Sequence, residues 1–344
     1  MEYCNLGHSG LEVSRLALGA IPFGTWMTDQ ESRDMADIYL DAGGNFLDTS
    51  NIYGGGLSEL SVGRIIRGRR DRFVVGSKGA WLVEKPMRPN AFGLSRAYLT
   101  TNIEDSLRRL GTDYIDLYQC HVQDPYTPIE ETMRVLDDFV RAGKIRYAGV
   151  SNWGGWQVVK ANMYARQFGL TPLVSNQIWY TLADRVAEFA VIPACRDQNV
   201  SIIAWGALAQ GFLTGRYSRG DEGPPPESRT AANIDTESSS WKSLAVERNW
   251  NTLDLVEAIA GRHGATIPTV AIRWLLQSGT CDVVLIGARN QQQYDANMAA
   301  LDLCLSDEEM QQLNEASRLP APYPMNFWDL FCYRDSPFYG GHRD

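Results

Sequence analysis

The feature that most restricts the fold is an alternation, kept up almost from end to end, between apolar runs of strand length and amphipathic runs of helical length. The apolar runs end near Gly19, Asp48, Lys78, His121, Val150, Asn176, Trp205 and Ile286. Helical patterns lie between them at 31–42, 58–67, 100–110, 128–142, 153–167 and 186–197, then at 249–263, 267–278 and 290–300. Most intervals between successive strands hold one strand–helix unit. Eight such units, with no change of composition along the chain, predict an α/β fold of the closed (β/α)8 TIM-barrel type. An open doubly wound sheet would carry a Gly-x-Gly-x-x-Gly turn after an early strand, and the chain has no such spacing.

Three segments stand outside the alternation. Residues 5–14 alternate polar and apolar around a glycine turn and predict an N-terminal β-hairpin. Arg216 to Ser240, rich in Gly, Pro and Ser, follows the seventh strand and reads as a long lid loop on the side of the strand C-termini. Beyond residue 318 the chain turns aromatic and irregular (Tyr323, Phe327, Trp328, Phe331, Tyr333, Phe338, Tyr339), so residues 1–318 are read as the barrel and 319–344 as a C-terminal tail. Two readings of that tail stay open, a wall of the barrel mouth or packing against outer helices.

Composition narrows the function. Apolar residues make up 44% and charged residues 21% of 344 positions, as in ordinary soluble globular proteins. A formal charge of −9 without a Lys/Arg cluster argues against a nucleic-acid partner. No apolar run approaches a membrane span and the first residues lack a signal-peptide pattern, so no membrane partner and a cytoplasmic location are expected. The six cysteines are scattered, which suits free thiols, and four histidines without paired spacing predict no metal site.

Chemistry concentrates between Gly44 and Gly63. Asp48 closes a strand, and Tyr53 follows five residues later beside Gly54, Gly55 and Gly56. Lys78 and His121 sit at the ends of the next two strands. Singly, each has an ordinary reading: a turn cap, a packed tyrosine, a solvated lysine, a structural histidine. In a barrel, however, all four converge on one face. A phenol is a weak acid near neutral pH, and a neighbouring ammonium favours its phenolate and brings proton donation into range. Asp48 would hold Lys78 charged, and His121 would donate a hydrogen bond to an oxygen gaining charge or relay a proton. Such a set protonates an oxygen while something else attacks the carbon, which suits hydride reduction of a carbonyl.

These segments resemble the aldo-keto reductases, across residues 1–318. The resemblance is carried by Leu18-Gly19-Ala20, Asn45 to Ser50 with Tyr53 and Ser58-Glu59, Ser77-Lys78, Leu110 to Leu117, His121 to Asp124, Gly143 to Arg146 and Gly149 to Asn152. Leu208 to Gly215, and Gly287-Ala288-Arg289 with Gln293 and Asn297, complete it. It implies Tyr53 as general acid tuned by Asp48 and Lys78, with His121 orienting a small-molecule carbonyl substrate. It also implies NADPH (NADP+) as cofactor, with Gly19 and Ala20 beside it and Ser151, Asn152 and Gln177 on its carboxamide. Trp205 takes the place of the aromatic that stacks on the nicotinamide. Gly206 and Ala207 depart from the family's usual Ser-Pro before Leu208, leaving the local pyrophosphate bonds open. Leu208, Gly211, Arg216 and Arg229 match lid-side contacts. Arg289, Gln293 and Asn297, spaced four and four, share a helical face, and a guanidinium at the helix start beside Gly287 suits the 2′-phosphate. Trp26, Trp81 and Trp153 follow other strands and are read as lining the substrate mouth. Two alternatives stand beside carbonyl reduction: a nucleotide-sugar keto- or enoyl reductase of deoxysugar biosynthesis, and a non-catalytic NADP-binding regulatory subunit like the channel β subunits. Oligomeric state is not readable.

Overall fold

Parallel pairing needs a crossover between strands, and the helical runs supply it. In the computed structural model, which describes residues 1–81, 88–221, 223–224 and 240–327, the strands close into one barrel. Its staves are β3 (Leu16–Gly19), β4 (Phe46–Asp48), β5 (Val74–Gly79), β6 (Ile115–Cys120), β7 (Ile145–Ser151), β8 (Leu173–Trp179), β9 (Ser201–Trp205) and β10 (Val283–Ile286). Consecutive strands pair in parallel, and β10 pairs with both β9 and β3, which removes every edge. Both faces are buried, so the strands read as near-continuous apolar runs. On β9, for example, Ile202 and Ala204 face the helical layer while Ile203 faces the interior.

The predicted hairpin forms from β1 (Tyr3–Asn5) and β2 (Glu12–Ser14). It plugs the N-terminal end of the barrel. Leu6 and Val13 are fully buried against the inward Ala17, Phe46, Leu117, Val174, Ile203 and Val283. Burying each such side chain stabilises the fold by about 1.5–3 kcal/mol. The floor is therefore dry and apolar. Strand periodicity then sets polar groups above it: Asp48 lies two residues beyond Phe46, and Gln119 two beyond Leu117.

The helices obey local signals. Ile129–Arg141 buries Ile129, Met133, Leu136 and Phe139 on one stripe and carries Glu130 and Glu131 at its positive end. Asp29–Asp41 opens on a capping box between Thr28 and Glu31. The pattern predicted at 186–197 divides into a 3-10 turn, Val186–Phe189, and a helix, Val191–Asp197. Pro193 is the cause. In a continuous helix it would clash with the carbonyl of Phe189, whereas a break at Ala190 sets it in a first turn that needs no N–H there. A helix at Asp307–Ala316 was not among those predicted, although Ser306 and Glu309 form its capping box.

No described helix is long and apolar enough to cross a membrane, and no described group of His, Cys, Asp or Glu could hold a metal. Within the long loop after β9, residue 222 and residues 225–239 lie outside the described residues, and so does Arg229. Of the tail, 328–344 lie outside them too, with Trp328, Phe331, Tyr333, Phe338 and Tyr339. Leu319 and Ala321 line a surface groove of about 650 Å3 with Arg185, Phe189, Met310 and Asn314, to which none of Asp48, Tyr53, Lys78 and His121 contributes. Tyr323 and Phe327 are exposed, their rings 6.1 Å apart.

Candidate active site

The segment after β4 leaves the barrel through a turn that only permissive backbone can make. Gly54, Gly55 and Gly56 all have positive φ, and the helix Leu57–Ile66 starts directly after them. Buried side chains pin this turn from below. Ser58 Oγ donates to the carbonyl of Ala20 at 2.6 Å and pairs with Thr49 Oγ1 at 2.7 Å. Glu59, fully buried, accepts from Ser77 Oγ at 2.5 Å and Arg109 Nε at 2.6 Å. Asn51 Nδ2 donates to the carbonyl of Trp81 at 2.8 Å. Tyr53 is thus held on a fixed frame, its ring partly exposed.

At the top of β5, Lys78 is wholly buried and points back toward this turn. Its Nζ donates to Asp48 Oδ2, to the carbonyl of Thr49 at 2.9 Å and to Tyr53 Oη at 3.3 Å. Burial works against an ammonium here, but Asp48 and the phenolic oxygen outweigh it and raise the pKa above that of an ordinary lysine. Lys78 is therefore charged. The other carboxylate oxygen, Asp48 Oδ1, accepts from Gln177 Nε2 at 2.9 Å and Gln119 Nε2 at 3.2 Å.

His121 stands one residue past β6, its ring edge-on to Tyr53 with centroids 5.7 Å apart. Nδ1 lies 3.0 Å from Ser50 Oγ. Burial, with the Lys78 ammonium adding to it, pushes its pKa down from 6.5 to about 3. A neutral imidazole results, able to donate one hydrogen bond and accept another, which favours hydrogen-bond donation over proton relay. The structure thus brings Asp48, Tyr53, Lys78 and His121 together. A phenol beside an ammonium, with a neutral imidazole at its edge, can hand a proton to an oxygen placed between them.

The residues expected around a dinucleotide fall into two groups. Near these four residues, Asn152 adopts left-handed φ 56 and joins three neighbours. Its Oδ1 accepts from Trp205 Nε1 at 2.9 Å, while Nδ2 donates to the carbonyl of His121 at 3.2 Å and to Ser151 Oγ at 3.0 Å. Ser151 Oγ donates to the carbonyl of Gln177 at 2.9 Å. Trp205 is thereby braced through its Nε1–H, with Trp179 packed edge-on to it at 4.9 Å. Trp179 also accounts for the glycine that replaces the family's serine: a Cβ on Gly206, at φ +76, would stand 2.3 Å from the Trp179 ring. Ala207 is buried, its carbonyl accepting from Thr181 Oγ1 at 3.0 Å, and Leu208 and Gly211 are partly exposed where a 3-10 segment, Ala209–Thr214, begins. Arg216 is exposed. Gly19 and Ala20 are buried, with Ala20 N–H donating to the carbonyl of Asp48 at 2.8 Å.

The second group caps β10. Asn297, buried, donates through Nδ2 to the carbonyl of Gly287 at 3.1 Å, and Gln293 Oε1 accepts from the backbone N–H of Arg289 at 2.9 Å. Both amides therefore shape the turn. The side chain of Arg289 is exposed, with its guanidinium carbon 4.1 Å from the centroid of Trp26. Of the tryptophans read as mouth-lining, Trp81 is 46% and Trp26 55% exposed, but one face of Trp26 is taken by Arg289. Trp153 corrects its expectation: it is 1% exposed and belongs to the core around the barrel. Its backbone is tied to β8, the carbonyl accepting from Asn176 Nδ2 at 3.0 Å. Sequence reasoning passed over Gln119 and Ser50. The inward period of β6, with a glutamine two residues after Leu117, was the available signal for the first.

Comparison with known proteins agrees with this geometry. The Aldo/keto reductase family model matches residues 15–318. An uncharacterized oxidoreductase, YrpG of Bacillus subtilis, is 35% identical over 92% of this chain and 95% of its own length. An aryl-alcohol dehydrogenase [NADP(+)] of Phanerodontia chrysosporium is 34% identical over 97% of this chain and 91% of its own. A probable voltage-gated potassium channel subunit beta of Oryza sativa is 33% identical over 88% and 92%. With the barrel, the buried Asp48–Lys78 pair beside Tyr53 and a family match from the first stave through the helix Asp307–Ala316, the chain belongs to the aldo/keto reductase family.

Proposed function

We propose that this protein reduces an aldehyde or ketone to the alcohol with NADPH, Tyr53 giving the proton. The observation that carries this reading is Lys78 Nζ, 3.3 Å from Tyr53 Oη with Asp48 on its other side. The ammonium stabilises the phenolate left after proton donation, so the phenol acts as an acid at lower cost. His121, neutral, donates from Nε2 to the carbonyl oxygen when the Ser50 hydroxyl donates to Nδ1. Turnover thus needs no charged histidine.

The residues present fit the dinucleotide. Trp205 offers a braced, partly exposed ring, and Arg289 an exposed guanidinium. Beside Arg289, a Cβ on Gly287 would meet no atom within 4 Å, so the backbone is open to a phosphate. When bound, the cofactor supplies the hydride. Asn152, Ser151 and the amide oxygen of Gln177 would hold its carboxamide, and Arg289 its 2′-phosphate. Leu208, Gly211, Arg216 and Arg229 are assigned to the pyrophosphate side. The similarity to the fungal relative, named as an NADP+ enzyme of aryl alcohols, supports both the reaction and the choice of nucleotide. Trp81 and Trp26 make the mouth aromatic, which favours flat carbonyl substrates.

The rice relative supports a second reading, a regulatory subunit. One assay separates the two. We expect multiple-turnover NADPH oxidation with at least one aryl or small aldehyde, and Tyr53→Phe to remove most turnover while leaving the NADPH Kd within about twofold. Survival of the rate in Tyr53→Phe would exclude Tyr53 as the acid. A wild type that oxidises bound NADPH only once would favour the regulatory reading.

A further inference from the structure

Gln119 is fully buried on β6, in register with Lys78 on β5 and Gly149 on β7. Its side chain crosses the barrel interior to Asp48, and it can do so because Gly149 has no side chain. A Cβ at that glycine would stand 3.1 Å from Gln119 Cγ and 2.5 Å from Ser175 Oγ. At the far end, Gln119 Nε2 and Gln177 Nε2 donate to the same carboxylate oxygen, Oδ1, at 3.2 and 2.9 Å. The remaining oxygen, Oδ2, faces Lys78 Nζ. Gln119 Oε1 is buried with no protein partner among the described residues. An unpaired buried amide oxygen costs stability, and an apolar side chain of equal volume would avoid the cost. Packing therefore does not account for a glutamine here. Its N–H on Asp48 does.

We propose that Gln119 is a positioning residue: together with Gln177 it grips Asp48 by Oδ1, presents Oδ2 to Lys78, and so maintains the ammonium beside Tyr53. A carboxylate held on one oxygen by two N–H donors cannot rotate without losing both bonds. The negative charge they hold in place offsets the burial of Lys78. The ionisable groups that face Lys78 are Asp48 from β4, Tyr53 from the turn after it and His121 from the end of β6. Of these, Gln119 bonds to Asp48.

The catalytic consequence rests on the carbonyl-reductase reading, so the test has one arm independent of it. Gln119→Met keeps the volume and removes the donor. In cofactor-free protein carrying 13C at lysine Cε, only five lysines contribute signals, and Lys78→Met assigns the one of interest. The Lys78 titration midpoint is expected to fall by roughly one unit in Gln119→Met. With a good aldehyde, kcat should fall roughly tenfold while the NADPH Kd stays within about twofold. Gln119→Glu supplies a second test through the same contact. Its carboxyl can donate to Asp48 while protonated and repels it once ionised, so a new loss of activity with rising pH is expected. An unmoved Lys78 titration in Gln119→Met overturns the proposal. If Gln119→Met does not fold, a Gln119→Glu profile parallel to wild type overturns it. If no chain turns over a carbonyl, the function reading fails and the lysine titration still decides the role of Gln119.

Discussion

Replacing Lys78 by methionine removes one charge and almost no volume. Asp48 would remain fully buried, Oδ1 still held by Gln119 and Gln177, while Oδ2 faces an apolar chain. Removing one partner of a buried ion pair costs about 3–5 kcal/mol, because the other charge is left unpaired. The two amide donors offset part of this, so a loss near about 3 kcal/mol is expected. Adding Asp48→Asn takes away the stranded charge, and the double variant should be more stable than Lys78→Met alone. The pH dependence has a definite sign. The pKa of Lys78 is raised above its ordinary 10.5, so its contribution is present below that value and is lost as pH climbs through the folded value. In Lys78→Met the buried carboxylate instead gains proton affinity on folding, so the deficit should shrink toward acid. Chemical denaturation of the three chains at about pH 5, 7 and 9 measures the deficit and its acid slope, and a further point at about pH 11 reaches the range where the Lys78 contribution begins to fall. A deficit below about 1 kcal/mol, or a double variant weaker than the single one, would refute the reasoning. In the rate, Lys78→Met should lower kcat and move the alkaline limb up by roughly one to three units, since the phenol loses its cation. An unmoved limb would separate Lys78 from the acid.

Arg289→Ala should weaken NADPH binding by about 1.5–3 kcal/mol and leave NADH almost unchanged, read by fluorescence titration; equal losses would place Arg289 away from the 2′-phosphate. His121, depressed to about 3 when folded, makes the native state less stable as pH falls below 6.5, because the unfolded chain binds the proton first. Wild type should lose roughly 1–2 kcal/mol more than His121→Asn between about pH 7 and 5, and matching slopes would show that the histidine titrates normally. Leu6→Ala should cost about 2–5 kcal/mol, since the hairpin side chain fills the barrel floor, and a loss under about 1 kcal/mol would mean that the plug is dispensable.

Strand and helix alternation was legible because each element is set by the periodicity of its own residues, and so was the barrel, since eight strand–helix units came without the Gly-x-Gly-x-x-Gly turn of an open doubly wound sheet. The convergence of Asp48, Tyr53, Lys78 and His121 could be anticipated, because each lies at or just after a strand's end and all such ends share one face. The helix at Asp307–Ala316 is equally local, its start marked by the Ser306–Glu309 box. Other features depend on which staves become neighbours. Trp26, after the first stave, meets Arg289, after the last, only because β3 pairs with β10. Trp153 is buried in the core around the barrel, and Gly206 is required by the ring of Trp179 on the adjacent strand. Gln119 could be placed on the inward face of β6 from its alternation alone. That its amide meets Asp48 across the barrel was decided by closure, by the space above Gly149 and by the carboxylate that attracts its N–H, none of which is a property of neighbouring residues in the chain.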